Sequence, residues 1–146
     1  MLDILICFLL QDIKIIFKPH PAEIDPNSLS YFESLSKRGI IVESHDVDLY
    51  HLFARSKWQL GISSTAIYEG IYFGLSTFIY KISTSSYMDK IVNYGLAKYI
   101  SNVGDIDLNF SLNPKSLDHI FERNSKQKSL ELFKFLKNYA EKKHES

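Results

Sequence analysis

Trp58-Gln59-Leu60-Gly61-Ile62-Ser63-Ser64-Thr65-Ala66-Ile67-Tyr68-Glu69-Gly70-Ile71-Tyr72-Phe73-Gly74-Leu75-Ser76-Thr77-Phe78-Ile79-Tyr80 is the stretch on which the fold turns. Its first five residues read as a short apolar strand, and Ser63-Ser64 then break the run as a turn. Thr65 to Phe73 reads as a helix closed by Gly74, because a glycine just past the last turn takes up the left-handed backbone that ends helices. Ser76 to Tyr80 is a second strand. A strand, a helix and a strand in about 20 residues form a unit whose strands must lie parallel, joined by a right-handed crossover.

The same alternation extends in both directions. Upstream, Ile40-Ile41-Val42 is a short strand, and Asp48 caps a helix through Ser56 whose Leu49, Leu52 and Phe53 face inward. Ser28 to Lys37 places Leu29, Phe32 and Leu35 on one helical face and stops at Gly39. Ile13-Lys14-Ile15-Ile16-Phe17 has the β-branched and aromatic content of a buried parallel strand, and Lys18-Pro19-His20-Pro21 ends it, since proline cannot continue the ladder. Leu2 to Gln11 is apolar nearly all round and reads as a helix buried on several sides. Downstream, Ser85 to Tyr94 reads as helical and Lys98 to Ser101 as an edge strand. Ser116 to Arg123 and Gln127 to Lys143 read as further helices. The second, within a C-terminal segment of about 125–143, is amphipathic through Leu132, Phe135, Leu136 and Tyr139. The expected architecture is an α/β, Rossmann-like, doubly wound parallel sheet.

The 146 residues fit one domain, and the hydrophobic content of 45% with 23% charged residues is that of a folding chain. Seventeen Lys plus Arg balance seventeen Asp plus Glu, so no global field draws the protein to nucleic acid or an anionic membrane. Any anion has to be captured locally. Cys7 is the only cysteine, which rules out an internal disulfide and a cysteine metal cluster within one chain. The apolar run Leu2 to Leu10 is shorter than the roughly 18 residues of a transmembrane helix, and no signal-peptide pattern accompanies it. The expected location is cytoplasmic, extending to the periphery of the inner membrane.

In open α/β sheets ligands bind beyond the carboxyl ends of strands, where helix N-termini present free amides to anions. Two segments stand at such positions. Ser63, Ser64 and Thr65 offer hydroxyls and amides suited to phosphate oxygens, although serine and threonine are also ordinary helix caps. His20, held between two prolines, can donate to a phosphate, and Lys18 can neutralise one. Glu69, a helical turn beyond Thr65, can accept both hydroxyls of a ribose. Its flanking Ile67, Ile71 and Phe73 predict a packed helix, in which an unpaired carboxylate is costly. Tyr68, Tyr72 and Tyr80 are candidates for stacking on a base, with helix packing as the alternative for Tyr68 and Tyr72.

Ile16-Phe17-Lys18-Pro19-His20-Pro21 and Gly61-Ile62-Ser63-Ser64-Thr65-Ala66-Ile67-Tyr68-Glu69, roughly 40 residues apart, resemble the paired HP and SS/T…E motifs of bacterial surface-polysaccharide glycosyltransferases. These include sialyl- and polysialyltransferases, capsule transferases and CDP-glycerol glycerophosphotransferases. The resemblance covers about residues 1 to 82 and implies the C-terminal half of a GT-B enzyme. In that half a CMP-, CDP- or UDP-activated donor would sit with its phosphate at His20, Ser63 and Ser64 and its ribose at Glu69. The general base and acceptor site of such enzymes belong to an N-terminal domain with no counterpart here, so no catalytic residue is identified. The family's domain also opens with a strand before the helix resembling Leu2 to Gln11. The chain is therefore expected to be a truncated domain that lacks its first strand, inactive alone, and drawn to a partner half or to itself. No cofactor and no metal are implied, because no aspartate-rich motif stands beside these residues. A UDP-sugar 2-epimerase and a non-catalytic nucleotide-binding remnant are the alternatives.

Overall fold

The computed structural model of the protein describes residues 12–20, 26–83, 85–113 and 116–117. The helices read at Leu2 to Gln11 and Gln127 to Lys143 lie outside the described residues, as does nearly all of the one read at Ser116 to Arg123. Strands and helices alternate as β1 (Ile16–Phe17), α1 (Pro26–Lys37), β2 (Ile41–Val42), α2 (Leu49–Ala54), β3 (Trp58–Gly61), α3 (Ala66–Tyr72) and β4 (Ser76–Tyr80). A 3-10 turn at Ser85–Met88 then runs into α4 (Asp89–Asn93), followed by β5 (Ala97–Ile100) and a 3-10 turn at Val103–Asp105. Among the described residues all the strand pairings are parallel, and the fold is a Rossmann-like α/β arrangement.

The helices stop by one repeated device. Gly39, Gly74 and Gly95 have φ of 86°, 84° and 69°, left-handed values that a side chain would resist. In each case the amide of the next residue reaches back five positions, Ile40 to Leu35, Leu75 to Gly70 and Leu96 to Ile91, at 3.2, 3.0 and 3.0 Å. This is the Schellman closure, and it turns the chain into the following strand with an apolar residue leading. Ile40, Leu75 and Leu96 are 2%, 3% and 0% exposed, so each stop also delivers a core residue.

The strands form two ladders, β1-β2 and β3-β4-β5, instead of the single sheet the sequence predicts. Side chains join them: Ile15 and Leu60 pack both against Leu35 and Ile40 on one side and against Phe78 and Ile100 on the other. β4 is the central strand of its ladder and is buried on both faces. Ile79 looks into a cluster made with Ile67, Ile71, Met88, Ile91 and Leu96 of the helices, whereas Phe78 faces Ile106, Leu108 and Phe110. The covering segment 106–110 has no counterpart among the elements read from sequence. Trp58 fixes it by donating its indole N–H to the Leu108 carbonyl at 3.3 Å.

Two local expectations change. Leu29 is 55% exposed while Leu35 is fully buried, so the predicted apolar face of α1 packs at Leu35 and not at Leu29. The strand predicted at Ile13 to Phe17 is two residues long, although Ile15 still accepts from the Ile41 amide at 3.0 Å. Among the described residues no helix is long and apolar enough to cross a membrane.

Candidate functional site

The turn after β3 is set by how closely α3 lies on that strand. A Cβ on Gly61 would meet the Ile67 side chain at 3.0 Å, and one on Gly70 would run into the Gln59 amide. Two glycines therefore let helix and strand approach. Gln59 uses the space: its Nε2 donates to the Ile67 carbonyl and to Thr77 Oγ1, both at 2.8 Å, and the Thr77 hydroxyl donates onward to the Leu75 carbonyl at 2.9 Å.

Ser64 is the cap of α3. Its Oγ accepts from the Ala66 amide at 3.2 Å, and its carbonyl accepts from Ile67 at 3.0 Å. Thr65 adopts helical backbone angles and makes no side-chain cap. Of the three hydroxyls read as phosphate donors, one is engaged in capping. Those of Ser63 and Thr65 are exposed and, among the described residues, hydrogen-bonded to nothing.

Glu69 lies a turn further on, its amide 3.4 Å from the Thr65 carbonyl, and is half-buried beside the fully buried Ile67 and Ile71. Tyr50, in the first turn of α2, has its phenol raised above the usual pKa, by burial first and then by the negative charge of Glu69.

At the exit of β1, Pro19 is buried and His20 exposed. Lys18 turns to the neighbouring exit, its Nζ donating to the His45 carbonyl at 2.7 Å. Asp46, in the same turn, is held below the ordinary carboxylate range by the Ser44 hydroxyl and its own amide, and to a smaller degree by His45 and Lys18. Lys18 therefore ties the ends of β1 and β2 together, a bond that a diphosphate would have to replace or share. Pro21 is outside the described residues.

Polar groups at the exits of β4 and β5 carry no marker in the sequence. The Tyr99 hydroxyl lies 2.7 Å from both the Ser85 carbonyl and Asp89 Oδ1, to either of which it can donate. Burial, then Asp89, pushes its pKa up to about 12. Lys81 Nζ stands 5.3 Å from the centre of the same ring. Since Gly61 pairs with Ile79, Lys81 leaves the strand beside the one that leads into Ser63. Only the i,i+4 spacing of Ser85 and Asp89 is visible beforehand, and it does not point to Tyr99. Among the described residues no three His, Cys, Asp or Glu side chains converge as a metal would require.

The exits of β1 and β3 thus carry the two motifs, each at the carboxyl end of its own strand, with the exposed hydroxyls of Ser63 and Thr65 at the second. Set against protein-family models, curated proteins and solved structures, the chain matches none.

Proposed function

We propose that this chain binds the nucleotide part of an activated sugar, as the donor half of a GT-B glycosyltransferase that builds capsule, lipopolysaccharide or a related surface glycan. The observation that carries the reading is the Ser63-Ser64-Thr65 turn. It leaves the carboxyl end of a parallel strand, opens a helix, and has Glu69 one turn beyond, an arrangement suited to a phosphate followed by a ribose. Ser63 and Thr65 supply exposed hydroxyls, and His20 supplies a group able to carry positive charge at the exit of β1. In such an enzyme the acceptor site and the general base belong to the other half of the cleft.

The reading is tested by titrating the full chain with CMP, CDP, UMP and UDP. One or more should bind weakly, because phosphate contacts act without the closing half of the cleft, and no sugar should be transferred by the chain alone. His20→Ala should weaken that binding by about 1–3 kcal/mol, the scale of a charge-assisted hydrogen bond. Unchanged affinity in the variant would return His20 to an ordinary loop role, and turnover of a CMP- or UDP-sugar would overturn the half-enzyme reading.

A further inference from the structure

Lys18 and Lys81 both leave strands at their carboxyl ends, and they are held differently. Lys18, after β1, donates to the His45 carbonyl. Lys81, after β4, has no carboxylate partner among the described residues, whose ion pairs join Arg55 to Glu43 and Lys98 to Asp107. Its place is nevertheless fixed. The Lys81 amide donates to the Ile100 carbonyl at 2.9 Å, and the next amide, that of Ile82, donates to Oγ of the buried Ser85 at 2.9 Å. The ammonium stands 5.3 Å from the centre of the Tyr99 ring, and the hydroxyl of that ring is anchored 2.7 Å from the Ser85 carbonyl and from Asp89 Oδ1. A lysine laid over an aromatic face gives up part of its rotamer freedom in advance and keeps its charge available to an anion.

Strand register sets what lies beside that charge. Gly61, Ile79 and Tyr99 form one row across β3, β4 and β5, and Ile79 packs against Ile67 and Ile71 of α3. Side chains alternate along a strand, so Lys81, two residues past Ile79, lies on the α3 side. The Ser63 turn, two residues past Gly61, is its neighbour one strand away, a spacing of about 4.8 Å. The ammonium leans the other way, towards β5. It therefore addresses an anion displaced sideways from one at the exposed Ser63 and Thr65 hydroxyls, as the second phosphate of a nucleoside diphosphate is displaced from the first. We propose that Lys81 is a specificity-determining residue that binds this second phosphate and makes the site one for CDP- or UDP-activated donors in preference to CMP-activated ones. The inference rests on the reading of the Ser63 turn as a nucleotide-phosphate site and deepens it by naming the donor class.

The test is calorimetric titration of the full chain, at low salt, with CMP, CDP, UMP and UDP. Wild type should bind each diphosphate about 10-fold more tightly than its monophosphate. Lys81→Ala, at an exposed position, should melt at nearly the wild-type temperature, weaken CDP and UDP binding about 10-fold, and change CMP and UMP binding by less than about two-fold. Lys81→Arg should keep most of the diphosphate preference. Lys98→Ala, which removes an equal charge from the opposite face of β5, should keep all of it. If CMP or UMP binds and wild type shows no preference for the diphosphates, the nucleotide reading stands and the role of Lys81 is overturned. Equal losses for mono- and diphosphates in Lys81→Ala, or the same loss in Lys98→Ala, would reduce Lys81 to a contributor of general charge and overturn the proposal as well. If none of the four nucleotides binds, the reading of the Ser63 turn fails and the proposal with it.

Discussion

Gln59 is a polar side chain on β3, an edge strand of the three-stranded ladder, and it is tolerated beneath α3 because both bonds of its amide nitrogen are made inside the protein. Gly70 leaves the room for it. Gly70→Ala would drive a methyl group into the Gln59 amide, breaking those bonds or lifting α3 from β3, and should cost about 2–4 kcal/mol in denaturant unfolding. Because Gln59→Ala clears the same space, the double variant should be less destabilised than the sum of the two single ones. Tyr99 makes a second residue-level prediction, this time in pH. Its folded pKa is about 12 against an ordinary 10.0, so the unfolded chain releases that proton first. The stabilisation is complete below pH 10 and is lost as pH rises towards 12, and Tyr50, shifted in the same direction, adds to the loss. Tyr99→Phe should flatten the alkaline limb of a melting-temperature profile while lowering its plateau, since Ser85 and Asp89 lose a partner. An unchanged alkaline slope would show that this hydroxyl does not govern it.

At the scale of elements, the glycine stops are the clearest features of the chain. A Cβ on Gly39, Gly74 or Gly95 would find nothing within 4 Å, so replacement costs only the left-handed backbone. Each Gly→Ala variant should lose about 1–2 kcal/mol, and Gly→Asn less, measured by equilibrium unfolding. A loss well above that range at one position would mean that the stop there also supports packing. Gly39 and Gly74 are legible in the sequence because a periodic run precedes each and a strand follows. Strand β4 was legible to the residue, since Gly74 stops the helix before it and Thr77, Phe78, Ile79 and Tyr80 are β-branched or aromatic. What the sequence hid is tertiary. The exposure of Leu29 depends on which turns of α1 lie against the short β1-β2 ladder. The charge of Glu69 acts on Tyr50, 19 positions away in sequence, and no local periodicity links the two. Lys18 read as a phosphate-neutralising cation, yet the His45 carbonyl that engages it lies across a crossover. Ser63, Ser64 and Thr65 were readable as a polar strand exit, and their division into a cap at Ser64 and two exposed hydroxyls was not.

For the molecule as a whole, the partition into two ladders decides how its parts come loose. Backbone hydrogen bonds bind β3, β4 and β5 to one another, whereas β1 and β2 are bound to each other by a two-residue register and to the rest through side chains such as Ile15 and Leu60. The three-stranded part also joins neighbours in the chain, so its loops close over short distances and little entropy opposes its formation. It should assemble first and open last. In native-state hydrogen exchange, the amides of Thr77, Phe78 and Ile79 are expected to exchange only through global unfolding, while those of Ile41 and Glu43 exchange through a smaller opening that leaves β4 protected. Equal protection at both places would mean that the side-chain seam holds as firmly as a ladder. If the smaller opening exists, the loop bearing His20 belongs to the part that detaches, so the fraction of time the seam is closed sets an upper limit on how often both motifs can hold the same ligand.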